Sequence, residues 1–341
     1  MAGMRLALFA TFFGSLGCAG SAAPAPELRE IRQLTRDGTH AEAYWSFDGK
    51  KIILMAQREG DKADQIYELD VAKGSLVRIS NGQGKCTCAY YLPDGRIVYS
   101  STHLSGAEPP PRPDRTKGYV WPFFREFELF LREKDGTLKR LTDNDGYDAE
   151  TTVSPDGKRL IFTSHRAGGM GLYTMAPDGS DLRKVTQRRG YAGGAFFSPD
   201  GKWIVYRAFY PKTPEEDAVL ERLLTERLLE PTKCHFEIFL ARPDGSEEKA
   251  LTANGKANWA PSFHPDGKTI VFASNMDAKS PGRFSLYAMN VDGSGLRRLT
   301  DHDGFDSFPH FSPDGSKLIF ISNRNGADPR RDLNIFMADW K

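Results

Sequence analysis

Seven side chains in this sequence have the chemistry to hold a cation or pass a proton: His40, Glu42, Cys88, Asp148, Glu150, Asn258 and Asp306. They are spread over more than 200 residues, yet each stands eight or six residues before an aspartate that is followed by glycine. The full set of such positions is His40 and Glu42, Cys86 and Cys88, Asp148 and Glu150, Ala192 and Gly194, Asn258 and Ala260, and Asp306 and Phe308. Carboxylates and an imidazole converging on one mouth could hold a divalent cation, with His40, Glu42, Asp148 and Glu150 as donors. They could also perform acid–base chemistry if burial shifted their pKa values. A small charged ligand is a further option, and a solvated polar channel is the plain alternative.

The aspartates that fix this spacing belong to hairpins. Phe197-Ser-Pro-Asp200-Gly-Lys202 followed by Trp203 to Tyr206 reads as strand, tight turn and strand. Pro199 pre-sets φ, Asp200 can accept from the following backbone, and Gly201 supplies a left-handed residue without steric cost. Equivalent turns stand at Asp48, Asp94, Asp156, Asp266 and Asp314, with successive gaps of 46, 62, 44, 66 and 48 residues. A period near 45 with two long members marks stacked or radially arranged units.

Two more strands follow each hairpin. The third includes Ile66-Tyr-Glu-Leu, Leu172-Tyr-Thr-Met and Ile335-Phe-Met-Ala, and the fourth ends in Leu-Thr or a near equivalent, as at Leu141-Thr142 and Leu299-Thr300. Four antiparallel strands in each of six repeats predict an all-β, six-bladed β-propeller. The blades span 36–80, 81–142, 143–186, 187–252, 253–300 and 301–341, the last completed by 27–35. Ile31-Arg-Gln-Leu-Thr35 is a fourth strand with no blade before it, while Ile335 to Trp340 is a third strand with none after it. The N-terminal strand is therefore expected to close the ring and cover an edge.

The Ser-Pro-Asp-Gly-Lys hairpin, the Asp-Gly-Ser turn, the Arg-Leu-Thr strand end and the borrowed strand resemble the TolB-type propeller family, over about residues 27–341. Cys88-Ala-Tyr-Tyr-Leu-Pro93, Gly118-Tyr-Val-Trp-Pro122, Gly146-Tyr-Asp-Ala-Glu150 and Ala257-Asn-Trp-Ala-Pro261 are similar to stretches of TolB-like exported proteins. The resemblance implies a propeller without TolB's helical N-terminal domain. It leaves function open among TolB itself, oligogalacturonate lyases and propellers that sit beside peptidase domains. A lyase reading needs metal-binding histidines at the mouth, where His40 is the one well-placed candidate.

In a propeller the first strand of each blade lines the channel, so residues eight and six before the turn are expected on one side of it, near the mouth. The two long repeats point to that same face. Their insertions, about 102–126 in blade two and 208–235 in blade four, both fall between second and third strands. The first is Pro-rich and then aromatic. The second predicts a helix with Thr213 as cap, Pro214 at its first position, Glu216 completing a capping box, and Val219, Leu220, Leu223, Leu224 and Leu228 as its apolar stripe. Long insertions in a repeat protein usually mark the binding face.

No Gly-x-Ser-x-Gly elbow, His-Glu-x-x-His or phosphate-binding glycine loop occurs, so no catalytic residue is assigned. The chain has 341 residues, 39% of them apolar, and a net charge of +1, which argues against nucleic acid as a partner. Residues 1–26 read as an export signal and tether: Arg5 precedes the apolar run Leu6 to Phe13, and Cys18 lies in a lipobox-like stretch. Cleavage after Ser21-Ala-Ala23 is the alternative. The expectation is a monomer in the periplasm, tethered to the outer membrane through Cys18, that binds an envelope protein or peptide over the insertion-bearing face. A metal-dependent lyase or hydrolase, or a sensor or carrier of a small ligand or cation, remains as an alternative. Cys86 and Cys88 are too close along one strand for an easy mutual disulfide, but either could pair with Cys234, or could join His40 at a metal.

Overall fold

The computed structural model describes residues 28–111, 120–166, 169–326 and 332–341. Residues 1–27, with Cys18, and residues 112–119 of the first insertion lie outside them. Each Asp-Gly hairpin is tied by one carboxylate. Asp200 Oδ1 accepts from Ser198 Oγ at 2.6 Å and from the Lys202 N–H at 3.1 Å, while the Ser198 hydroxyl accepts from the Trp203 N–H at 2.9 Å. Those bonds, led by the one from Ser198, lower the Asp200 pKa. Gly201 takes φ of +70°, which a larger residue would adopt only with strain. The same serine–aspartate bond recurs at Asp48, Asp156 and Asp314. Where His264 replaces the serine the bonding changes: its Nδ1 accepts from the Asp266 N–H at 3.0 Å, and the Thr269 N–H donates to the Asp266 carboxylate at 3.1 Å instead.

The Leu-Thr ends have an equally local cause. Thr35, Ser80, Thr142, Thr186, Thr252 and Thr300 each turn a hydroxyl inward to accept a third-strand N–H, from Ile335, Ile66, Leu129, Leu172, Ile238 and Leu286, at 2.9–3.0 Å. The short fourth strands are thereby fastened to their sheets with few ladder bonds.

The result is an all-β propeller with few helices. Four sheets have four strands each, including one in which Leu28–Gln33 pairs antiparallel with Asn334–Trp340. The third and fourth repeats are not separate sheets. They share one eight-stranded sheet, joined by a parallel pairing of Met170 with Tyr191. An isolated parallel bridge, Phe284 to Phe305, links the fifth and sixth repeats in the same manner. Neighbouring repeats are stitched by backbone as well. The N–H of Cys86, Asp148, Asn258 and Asp306 donates to Asp64, Phe127, Phe236 and Phe284 of the repeat before, and the His40 N–H donates to Leu333 of the last repeat.

The Thr35 hydroxyl bridges 300 residues of sequence, bonding both the Ile335 N–H and, at 3.2 Å, Asn334 Oδ1. Thr35→Val should leave a buried N–H unpaired and cost about 1–3 kcal/mol in urea unfolding, with Thr35→Ser retaining most of the stability. Equal losses in the two variants would show that the hydroxyl is not what holds this junction.

Candidate functional site

All six inner strands break their alternation at the same place. Each carries a bulge, and the residue six before the turn aspartate sits in the left-handed region: Glu42 at φ +47°, Cys88 at +50°, Glu150 at +59°, Gly194 at +60°, Ala260 at +49° and Phe308 at +52°. These six residues line one cavity of about 20 Å³, room for roughly one water. The residues eight before the turn do not line it. The period-2 expectation that both sets share one wall near the mouth is corrected here, because the bulge inserts a residue and re-aims the side chains.

Glu42, Cys88 and Glu150 are therefore brought together. Glu42 Oε2 accepts from Thr87 Oγ1 at 2.9 Å, from the Cys88 N–H at 3.0 Å and from Cys88 Sγ at 3.0 Å. Burial raises the Glu42 pKa, its bond from Cys88 opposes this, and the charge of Glu150 adds to the rise. Burial, then the two carboxylates, raises the Cys88 thiol well above its ordinary value. Glu150 Oε2 accepts from Thr163 Oγ1 at 2.6 Å and the Gly194 N–H at 3.0 Å. Its other oxygen is ion-paired with Arg207, a residue the sequence reading did not single out.

Arg207 comes from the second strand of the fourth repeat and is 4% exposed. Its guanidinium donates to Tyr191 Oη at 2.5 Å and lies 4.8 Å from the Trp121 ring centre. Burial opposes its charge, but Glu150, Tyr191 and Tyr147 together outweigh that and raise its pKa. The signal for it was Gly193-Gly194. A Cβ on Gly194 would run into the guanidinium, and one on Gly193 would crowd Tyr191, Glu150 and Thr163.

The other candidates stand apart, each in its own network. Asp148 is fully buried, accepting from Ser164 Oγ at 2.5 Å and Arg166 Nη2 at 2.7 Å; burial raises its pKa despite Arg166. Asp306 pairs with Arg324 at 2.9 Å. Asn258 donates to the Phe236 carbonyl at 2.8 Å and to Glu237 at 3.1 Å, and accepts from Ser274 at 2.7 Å. His40 is fully buried, and burial lowers its pKa to about 4. Among the described residues no three His, Cys, Asp or Glu side chains come together as a metal cluster. Cys86, Cys88 and Cys234 are free buried thiols, so the optional pairing of Cys234 with Cys86 or Cys88 does not form. Burial pushes Cys86 up to about 11 and Cys234 up to about 12.

Over this end lie the two insertions, joined to each other. Trp121–Pro122 of the first pairs antiparallel with Leu228–Leu229 of the second. The helix Pro214–Glu226 begins at Thr213, whose side chain accepts from the Glu216 N–H, and it buries Leu220 and Leu223. Trp121 packs 5.0 Å from Trp259 and 6.0 Å from Phe236, and Phe123 packs on Tyr147. The apolar side chains of both insertions thus join the core at the start of the inner strands.

Residues 127–220 and 231–330 match the sequence profile of the TolB beta propeller domain. The chain belongs to the TolB β-propeller family. An uncharacterized protein of Agrobacterium fabrum is 30% identical over 123 residues, or 36% of this chain and 35% of that protein, so the chain spans about a third of that curated relative. A candidate TolB of Agrobacterium tumefaciens superposes with a TM-score of 0.60 at 21% identity, over 92% of this chain and 99% of that one. An oligogalacturonate lyase of Vibrio parahaemolyticus gives 0.54 at 14%, over 91% and 93%. At such identities the structural likeness is one of fold.

The opposite end of this TolB-family channel is open. A cavity of about 310 Å³ lies among the Asp-Gly turns, walled by Trp45, Phe47, Phe263, Phe311 and four turn prolines. Between it and the small cavity stands an aromatic layer four residues before the turns. Tyr44, Tyr90, Phe196 and His310 lie with ring centres 5.4–6.0 Å apart. His310 Nδ1 accepts from the Trp45 N–H at 3.3 Å, and its Nε2 faces Tyr90 Oη at 3.3 Å.

Two outcomes follow from this geometry. Gly194→Ala should destabilise by roughly 2 kcal/mol or more, because it adds left-handed strain and collides with Arg207. A loss below about 0.5 kcal/mol in urea unfolding would show that the guanidinium has room to move. Burial also lowers His310 from 6.5 to about 3. The unfolded chain then takes up the proton first, so this contribution is complete above pH 6.5 and is lost as pH falls toward about 3. His310→Phe should give a shallower decline of melting temperature below pH 6.5 than the parent. Identical slopes would mean that the imidazole is accessible to protons in the folded protein.

Proposed function

We propose that this chain is an exported binding scaffold, a ring of six blades in which the eight-stranded sheet counts as two. It is held in the periplasm, tethered to the outer membrane through a lipid on Cys18, and engages an envelope protein or peptide over the insertion-bearing face. Its blades run 36–80, 81–142, 143–186, 187–252, 253–300 and 301–341 with 27–35. The observation that supports the reading is the joining of the two insertions by the pairing of Trp121–Pro122 with Leu228–Leu229, which links them over that face. Chemistry at that end is less well supported. Glu150, Asp148 and Asp306 are each paired with an arginine, and the space beside Glu42 and Glu150 admits about one water, not a sugar.

The test has two parts. Cys18→Ser should move the protein from the membrane fraction to the soluble periplasmic fraction, and a parent protein already soluble there would remove the anchor from the proposal. A photo-crosslinker at Glu221, exposed on the insertion helix, should give one discrete envelope adduct that a crosslinker at Lys139, on the far face, does not. Adducts that are absent, or the same from both positions, would overturn the scaffold reading.

A further inference from the structure

The cavity among the Asp-Gly turns has an unusual lining for so open a space: most of its side-chain polar atoms are already engaged inside the protein, the buried Trp45 Nε1 being an exception. Ser46 and Ser312 donate to Asp48 and Asp314 at 2.7 and 2.6 Å. Thr152 donates to the Ala195 carbonyl at 2.6 Å and Ser262 to the Pro309 carbonyl at 2.7 Å. His310 uses both nitrogens, on Trp45 and Tyr90. The larger part of what faces the space is carbon, much of it aromatic and pyrrolidine, and the remainder is polar. Such a wall gives water few partners and favours an apolar guest.

The rim is different. Phe47 stands where the five other repeats place proline, and it is 38% exposed, one of few large apolar side chains left in solvent among the described residues. Around it Asp48, Lys50, Asp156, Lys158, Asp200 and Lys202 are all exposed, alternating in sign. At about 310 Å³ the cavity stands at the lower end of the roughly 300–1,000 Å³ of ligand pockets. Its interior can hold a ring but, with most side-chain polar groups already bonded, offers few hydrogen bonds to orient one. Orientation has to come from charges and polar groups at the rim, which a guest confined to the cavity would not reach.

We propose that this cavity is a binding site for a neutral aromatic side chain presented by a polypeptide, whose flanking backbone and charges of both signs lie on the Asp/Lys rim. The site is at the far end of the inner strands from the joined insertions and does not depend on what binds there.

The test uses the full chain and three probes: the peptide acetyl-Lys-Gly-Trp-Gly-Glu-amide, the same peptide with Ala for Trp, and free indole. Calorimetry or NMR titration should show saturable binding of the Trp peptide, at least about five-fold tighter than either other probe. Phe47→Ser should weaken it between about 2-fold and 10-fold, as expected for losing one aromatic contact, with no change in melting temperature. Glu221→Gln on the insertion helix should leave it unchanged. No saturable binding of the Trp peptide, or equal binding of the Ala peptide, would overturn the site. Indole binding as tightly as the Trp peptide would overturn its assignment to a polypeptide. A Phe47→Ser protein that is stable and binds like the parent would remove the rim from the proposal.

Discussion

A left-handed residue at one fixed position of every inner strand is the constraint on which the channel depends. Only one of the six is glycine, and for the others this conformation costs roughly 1–2 kcal/mol each. It persists because the surroundings over-determine it. On one side the ladder to the second strand resumes after the bulge. On the other, the strand's start is bonded to the preceding repeat through Asp64, Phe127, Phe236, Phe284 and Leu333. In two repeats the bulged residue repays the strain directly: the carboxylates of Glu42 and Glu150 reach the next repeat's bulge and accept the N–H of Cys88 and of Gly194. Two of the carboxylates that the sequence offers as cation or ligand donors are, by geometry, latches between neighbouring repeats.

That role explains the arginine. A carboxylate drawn into the channel as a latch is desolvated, and Glu150 has Arg207 to balance it. The pair is possible because the fourth repeat gives up side chains at Gly193 and Gly194. Among the described residues no cation pairs with Glu42. It leans on Thr87 and Cys88, and burial raises its pKa. The two glutamates occupy equivalent backbone positions and differ through what the neighbouring repeat supplies.

Features with local causes were legible in the sequence. The serine–aspartate turn, the threonine that fastens each fourth strand, and the helix start at Thr213 and Pro214 all depend on residues a few positions apart or on one repeated spacing. The pairing of Leu28–Gln33 with Asn334–Trp340 was legible from counting strands in the repeats. The bulge was not, because Glu, Cys, Gly, Ala and Phe share no side-chain signature for a left-handed backbone. Without it, strict alternation grouped His40, Asp148, Asn258 and Asp306 with Glu42 and Glu150. Arg207 was hidden for a different reason. It sits in a strand of ordinary composition, and its partner is 57 residues away. The fusion of the third and fourth repeats into one sheet rests on a single pairing at Met170, which no pattern of residues announces.

The insertions also change which end of the channel can receive a guest. Their length drew attention to the face where the inner strands begin, and there Trp121, Phe123, Leu220 and Leu223 pack into the core and leave about 20 Å³. The turn face carries no insertion, and its loops are as short as the fold allows. Short loops cannot fold over the channel, so the space between the turns stays open at about 310 Å³. The aromatic layer of Tyr44, Tyr90, Phe196 and His310 separates the two spaces and holds no charge at neutral pH, since burial keeps His310 unprotonated and the tyrosines lie far below their raised pKa values. The two ends of the channel are therefore chemically independent. One end is a charged, latched interior beneath a cap, and the other is an apolar pit with a polar rim.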